Sequence, residues 1–392
     1  MKERKTVYCE MAFLLNFLKN RPVDTDFEDY KEDCWKGLGR FLKRSDLIID
    51  VTKEEFVQYC IEEAKDVDEE RKNKFLKSII MKSEQGEINL SFKDKFLDIK
   101  NISSNNLGVI ELNAVFLTTS EDSICQKRSE AYGVIALNTK GVYSSIHLFI
   151  DSGIAFPDLN NRKWDFLNTL NEGIPLLRNC NSMLMVDNFI CSDSKDNNGR
   201  ITVSYQDKIK YNLAPIFKSL LPESLADDLK YEISIFTGSK NDDNFENAYN
   251  SIRTIISILR PNLNFSLTLY NKAKLEFHDR TIVTNNVWIG CGEGFDLFDK
   301  KGNIRKPTTV TVTFPHFSKD INWANNAFIN LIKSANNIIG RYHIENRDFW
   351  GSADHKNRIV SYYITGEMAE KKQKRCDHNP PANRFSRPYG WG

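Results

Sequence analysis

The sequence predicts an α/β protein built in two units, and three observations carry that reading. Short apolar runs of strand type alternate with amphipathic stretches at helical spacing, the pattern of a parallel sheet covered by helices. The 392 residues exceed what one core usually organises. The apolar share of 41% and charged share of 27% are ordinary globular values, so chain ordering can be offset by burial.

The elements follow in order. Residues 6–18, TVYCEMAFLLNFL, begin as a β-type run and continue as an apolar helix. A break at Arg21-Pro22 precedes a helix over 28–43, where Tyr30, Trp35, Leu38, Phe41 and Leu42 lie near helical spacing and Gly37 and Gly39 interrupt the pattern. Leu47-Ile48-Ile49 is a short buried strand. Thr52 caps a helix over 53–66, with Glu55 completing a capping box. A charged helix over 69–83 leads into polar, Asn/Ser-rich sequence through 106 that reads as loop. Alternation resumes with a strand over 114–118, a helix over 120–132 and a strand over 134–137, and residues 143–150 and 155–156 read as closing strands or a connection.

A boundary near 175 separates this unit, 1–175, from a second over 176–345. The second reads strand 182–190, polar loop 192–200, helix 213–221, strand 231–237, helix 245–259 and strand 265–270. Strands around 278 and 287, a strand over 308–314 and a helix over 323–339 complete it. Residues 346–392 supply a short strand over 359–364 and a basic irregular tail.

With 54 basic and 53 acidic residues the net charge is +1, so a polyanion partner must meet a local patch. No run of about 18 apolar residues occurs, and the expectation is a cytoplasmic protein without a membrane span. The eight cysteines are scattered singly, without Cys-x-x-Cys pairs, which argues against disulfides and structural zinc.

In HDRTIVTNNVWIGCGEGFDLF (278–298), His278 and Arg280 share one strand face and Asp279 takes the other. The stretch resembles the phospholipase D signature. His278 stands for the histidine, Arg280 for the lysine, Asn285 for the aspartate and Gly292 for the glycine, while Glu293 stands where serine is expected. Arginine can hold phosphate bidentately, but Asn285 supplies no carboxylate charge. The resemblance extends over roughly 180–340 to the phospholipase D-like domain at the C-terminus of proteins with a microtubule-interacting-and-transport domain. It implies binding of a phosphate or a protein partner through His278, Arg280 and Asn285, and assembly as a homodimer, since a single motif copy needs a second to complete a site.

The first unit resembles a PIN-type nuclease. In VYCEMAFLLNFL, Glu10 takes the place of the acid that ends the first strand. In LIIDVTKEEFVQYC, Glu55 matches the helix glutamate, with Glu54 and Asp50 beside it. In AVFLTTSEDSI, Glu121 or Asp122 matches the late acid, and Asp94 and Asp98 lie in the interval between. The resemblance implies a PIN-like parallel sheet with Glu10, Glu55 and Asp122 as catalytic residues, and Glu10, Glu55, Glu121 and Asp122 holding Mg²⁺ or Mn²⁺. Hard oxygen ligands suit both ions. The same acids near helix starts would also be favoured by the helix dipole alone. The layout is that of a metal-dependent nuclease acting on nucleic acid, RNA in preference to DNA, with a phospholipase D-like recognition and dimerisation unit, as in a prokaryotic toxin or phage-defence effector. The other reading is a non-catalytic scaffold that keeps both folds.

Overall fold

The computed structural model describes residues 4–360, apart from 23–28, 104–105, 107–113, 150–153, 157–162, 174–176, 239–241, 272–279, 306–307, 315–329, 332, 334, 336, 338–348 and 352–356. The chain is α/β with two principal sheets.

The first sheet is parallel throughout. Strand β1 (Thr6–Cys9) leads through helices α1 (Met11–Lys19) and α2 (Asp29–Leu42) to β2 (Asp46–Ile49). Helices α3 (Lys53–Ile61) and α4 (Val67–Glu84) connect to β3 (Leu90–Ser91). Strand β4 (Val115–Leu117), helix α5 (Asp122–Tyr132) and β5 (Ile135–Leu137) complete it. The spatial order is β3-β2-β1-β4-β5, with every neighbour parallel. Successive side chains alternate between two apolar layers, as the period of a strand requires. Val7, Leu47, Val115 and Ile135 enter one layer, whereas Tyr8, Phe116 and Ala136 enter the other, where Tyr8 and Phe116 stack at 4.8 Å. Burial on both faces explains why these strands read as unbroken apolar runs.

The second sheet is mixed. It contains β6 (Ile154–Phe156), β7 (Ser182–Val186), β10 (Tyr231–Thr237), β11 (Phe265–Asn271), β12 (Arg280–Thr284), β13 (Trp288–Cys291), β14 (Val310–Thr313) and β15 (Phe349–Gly351). Between β7 and β10 the short pair β8 (Ser194–Lys195) and β9 (Ile201–Val203) forms a separate ribbon. The order is β15-β11-β10-β7-β12-β13-β14-β6; β7, β10 and β11 run parallel and the others pair antiparallel. This sheet therefore takes β6 from residues before 175.

One apolar cluster runs from Val7 and Phe13 through Leu177 and Met183 to Val312, so the two sheets share a core. Polar groups also join them. Lys5, 2% exposed, donates from Nζ to Asn286 Oδ1 at 2.8 Å. Gly133 ends α5 at φ +64, and a Cβ there would meet the Cys180 carbonyl carbon at 2.5 Å, so glycine permits both the turn and the approach.

Several local expectations differ, among them the strand expected over 182–190, which ends at Val186, and the loop expected over 192–200, which holds Ser194–Lys195. Residues 143–149 are helical, in Thr139–Ser144 and Ile146–Phe149, because Asn138 caps the first by accepting from Gly141 N. Loop was expected through 85–106, yet Leu90–Ser91 pairs with β2, a strand defined by its partner and not by its composition. Residues 359–360 are helical where a strand over 359–364 was expected, and 361–364 lie outside the described residues.

Candidate acidic site at the carboxyl edge of the parallel sheet

The chain leaves β1 toward β2 and β3 on one side, then returns to β4 and β5 on the other. In open parallel sheets, the crevice at such a reversal, outside the carboxyl ends of the strands, is where ligands bind. Here that crevice lies between the ends of β1 and β4.

Glu10 follows β1 directly and donates its backbone N–H to Leu117 O at 2.9 Å, holding the two strand ends together. Its extended backbone occupies the cap position of α1, but its side chain makes no cap bond. The carboxylate turns across the crevice instead. Oε1 accepts from Thr118 Oγ1 at 2.5 Å, and Oε2 accepts from Thr119 N at 2.7 Å and Thr119 Oγ1 at 2.6 Å. Hydrogen bonds to an ionised acceptor are the strong, orienting kind. The threonines were not singled out in the sequence; their signal is a hydroxyl run, Thr118-Thr119-Ser120, directly after a buried strand.

Asp50 directly follows β2 and supplies the cap that Glu10 leaves unmade, with Oδ1 accepting from Met11 N at 2.6 Å. Burial pushes its carboxyl above the ordinary range. The Met11 bond opposes that rise, and the nearby charges of Glu10 and Asp98 add to it. The buried Cys9 thiol is likewise pushed well up, first by burial and then by Asp50 and Glu10. Among the described residues, no ion pair joins Glu10 or Asp50 to a lysine or arginine.

The remaining acids are distributed differently. Asp98 caps the turn Ile99–Asn101 by accepting from Lys100 N at 2.8 Å. Glu55 is spent on its own helix: it accepts from Thr52 N at 2.8 Å while donating its own N–H to Thr52 Oγ1 at 3.2 Å. The Thr52 N–H first, then the Thr52 hydroxyl and the Lys93 charge, hold its carboxyl below the ordinary range. Asp122 pairs with Lys140 at 2.9 Å, and that contact lowers its carboxyl. It nevertheless stands on the Glu10 side of the sheet. The Cys125 thiol, pushed up to about 11, is raised first by burial and then by both Asp122 and Glu10. Glu121 occupies the cap position of α5 without a side-chain cap bond.

The structure therefore joins Glu10 with Asp50, the neighbour of the preferred match, and leaves Glu55 at a helix cap. Among the described residues, no group of three His, Cys, Asp or Glu side chains converges as a ready metal cage.

In the second sheet, His278 and Asp279 lie outside the described residues. Arg280 opens β12, donates from Nη1 to Gly292 O at 2.8 Å, and lies over the half-exposed Phe189 ring at 5.7 Å. Asn285 is buried in structural bonds. Its Oδ1 accepts from Asn181 N at 3.1 Å and Ser182 N at 3.2 Å, and its Nδ2 donates to Asn181 Oδ1 at 3.1 Å. The Gly292-x-Gly294-x-Asp296 turn closes over Asp187, whose oxygens accept from Phe189 N and Phe295 N at 2.8 and 2.6 Å. Gly294, at φ +98, brings its Cα within reach of that carboxylate, since an added Cβ would lie 3.1 Å from Asp187 Oδ2. Asp296 in turn meets the buried Lys208 at 3.5 Å and Arg305 at 3.2 Å.

Compared with known proteins, the chain matches no family model and no curated protein. No helix among the described residues is long and apolar enough to cross a membrane.

Proposed function

We propose that the parallel-sheet unit is a metal-dependent nuclease of PIN-like type, cutting RNA in preference to DNA, with Glu10 and Asp50 as its principal ligands. The observation that carries this reading is the Glu10–Asp50 pair: two carboxylates at the ends of adjacent parallel strands, beside the topological switch point, with no cation paired to either among the described residues. The donor set fits Mg²⁺ or Mn²⁺. Magnesium keeps several waters and is commonly held by one or two protein carboxylates together with substrate phosphate, so a three-ligand cage is not required.

A bound divalent ion would supply an activated water and neutralise charge on the phosphodiester. The chain's own residues do the positioning. Thr118 and Thr119 fix the Glu10 carboxylate, and the Met11 N–H fixes that of Asp50. Asp122 and Lys140 lie exposed on the same side, where the lysine can meet a substrate phosphate and the acid can complete the ligand set once Lys140 is drawn away. Glu55 and Glu121 have no part in this arrangement. The second sheet serves recognition and homodimerisation. What supports assembly over hydrolysis there is the use of Asn285, at the family's aspartate position, in three buried structural bonds.

The test is cleavage of single-stranded RNA and DNA by the full chain with Mn²⁺, alongside Glu10→Gln and Asp50→Asn. Wild-type cleavage that EDTA stops and both variants reduce by about 100-fold or more is expected. A second reading, the scaffold, is favoured by the Asp122–Lys140 pair and the Glu55 cap, both of which spend predicted ligands on stability. Intact RNA and DNA under these conditions would select it.

A further inference from the structure

The polar turn at residues 196–200 joins the two strands of the separate ribbon and contains Asn198-Gly199, the one Asn-Gly pair in the sequence. Such a pair suits a tight turn, because glycine enters the left-handed region without strain. Gly199 does so at φ +77. Asp196 builds the turn. Its Oδ1 accepts from Asn198 N at 2.9 Å and Arg200 N at 2.8 Å, and its carbonyl accepts from Gly199 N at 3.0 Å.

These bonds use the backbone and leave the Asn198 side chain unengaged. Asn198 is exposed, and its carboxamide makes no hydrogen bond among the described residues. No atom lies within 4 Å of the place a Cβ on Gly199 would take, so nothing crowds the peptide that follows the asparagine. Asparagines followed by serine are placed otherwise. Asn181 is 3% exposed and donates from Nδ2 to Tyr132 O at 3.0 Å. Asn250 lies inside the helix Asp242–Leu259, where the hydrogen-bond ladder holds the N–H after it. Asparagine is a thermolabile residue type, and the fold concentrates that lability at one position.

We infer that Asn198 is a site of spontaneous covalent modification, converting to aspartate and isoaspartate through a cyclic imide formed with Gly199. Hydroxide removes the Gly199 amide proton, and the nitrogen attacks Asn198 Cγ. The Cγ–Nδ2 bond breaks, and the nitrogen leaves as ammonia with a proton from water, which regenerates hydroxide. Water then opens the imide at either carbonyl, and nothing is oxidised or reduced. Ring closure gives up the Gly199 bond to Asp196, a local opening at an exposed turn that costs far less than global unfolding. The ribbon pairs with neither principal sheet, so the product stays folded and accumulates. Each conversion places a negative charge between Lys195 and Arg200, and the isoaspartyl form adds a methylene to the backbone of the turn.

The test is storage of the full chain in mildly alkaline buffer, followed by ion-exchange chromatography and tandem mass spectrometry of the tryptic peptide 196–200, against an unstored sample. The folded chain is expected to develop a second, more acidic form, with Asn198 converted at least about tenfold more than Asn181 or Asn250. Asn198→Gln is expected to remain a single charge form, and Asn197→Gln to convert as wild type. Gly199→Ala is expected to slow conversion by about tenfold, because the added Cβ crowds the attacking nitrogen. Absence of conversion at Asn198 in the folded chain, whether or not the urea-unfolded chain converts, would overturn the inference. So would conversion falling mainly on Asn197, or an equal rate in Gly199→Ala.

Discussion

The carboxylate of Asp50, at the end of one strand, accepts a 2.6 Å hydrogen bond from the backbone N–H of Met11, which opens the helix after the neighbouring strand. That bond ties residues 39 apart in sequence and frees Glu10 to turn toward Thr118 and Thr119. A pair of acids is thus held at a strand edge by uncharged donors.

Burial raises the Asp50 carboxyl, so the folded chain holds that proton more tightly than the unfolded one. Its contribution is therefore fully present below the ordinary carboxylate pKa and is lost as pH rises through the raised value. Asp50→Asn is expected to be more stable than wild type at neutral pH, with a smaller difference at pH 3, because the variant lacks the fall in stability that the raised carboxyl brings as pH increases. Urea denaturation between pH 3 and pH 7 checks both; a destabilised Asp50→Asn at pH 7 would contradict the assignment.

Thr52→Ala removes the side-chain acceptor for the Glu55 N–H and is expected to cost about 1 kcal/mol, measured by urea midpoint. Glu55→Gln is expected to leave any nuclease activity within about twofold of wild type, as for a residue outside the ligand set. A loss of activity on the scale of Glu10→Gln would return Glu55 to the site.

The strands of the first sheet are legible because burial on both faces makes them continuous apolar runs, as in Leu47-Ile48-Ile49. The capping box at Thr52 and Glu55 is legible too, yet it concealed its own meaning, because a glutamate in a first helical turn reads equally as a ligand or as a cap. Asp50 is harder to read, since its role depends on the parallel register that sets Cys9 beside Ile49. The Thr118-Thr119 clasp depends in the same way on Cys9 lying beside Leu117. Residues 143–149 carry strand-forming side chains but follow a helix cap at Asn138, and packing settles them as helix, with Gly37 making room for the Phe149 carbonyl.

Asn285→Asp introduces the aspartate of the phospholipase D signature that this stretch resembles and is expected to destabilise the fold by about 2–4 kcal/mol. The change replaces the Nδ2 donor to Asn181 Oδ1 with a buried carboxylate oxygen facing it. Thermal unfolding measures this, and unchanged stability would show that Asn285 is not the structural bridge described.

Thr118→Val removes a hydroxyl donor from Glu10 while keeping side-chain volume. Donors behind a metal ligand typically contribute 10- to 100-fold in affinity, so Mn²⁺ binding is expected to weaken by about tenfold with little change in fold. Calorimetric titration reads the affinity, and wild-type binding would remove the threonine from the site.

The central claim is that Glu10 and Asp50 together hold one divalent cation. Electron paramagnetic resonance of free Mn²⁺, titrated into the full chain, counts the bound ions directly. Wild type is expected to bind one ion that Mg²⁺ displaces, and the Glu10→Gln, Asp50→Asn double variant none at the same concentrations. Equal binding by the two proteins, or none by wild type, would contradict the account.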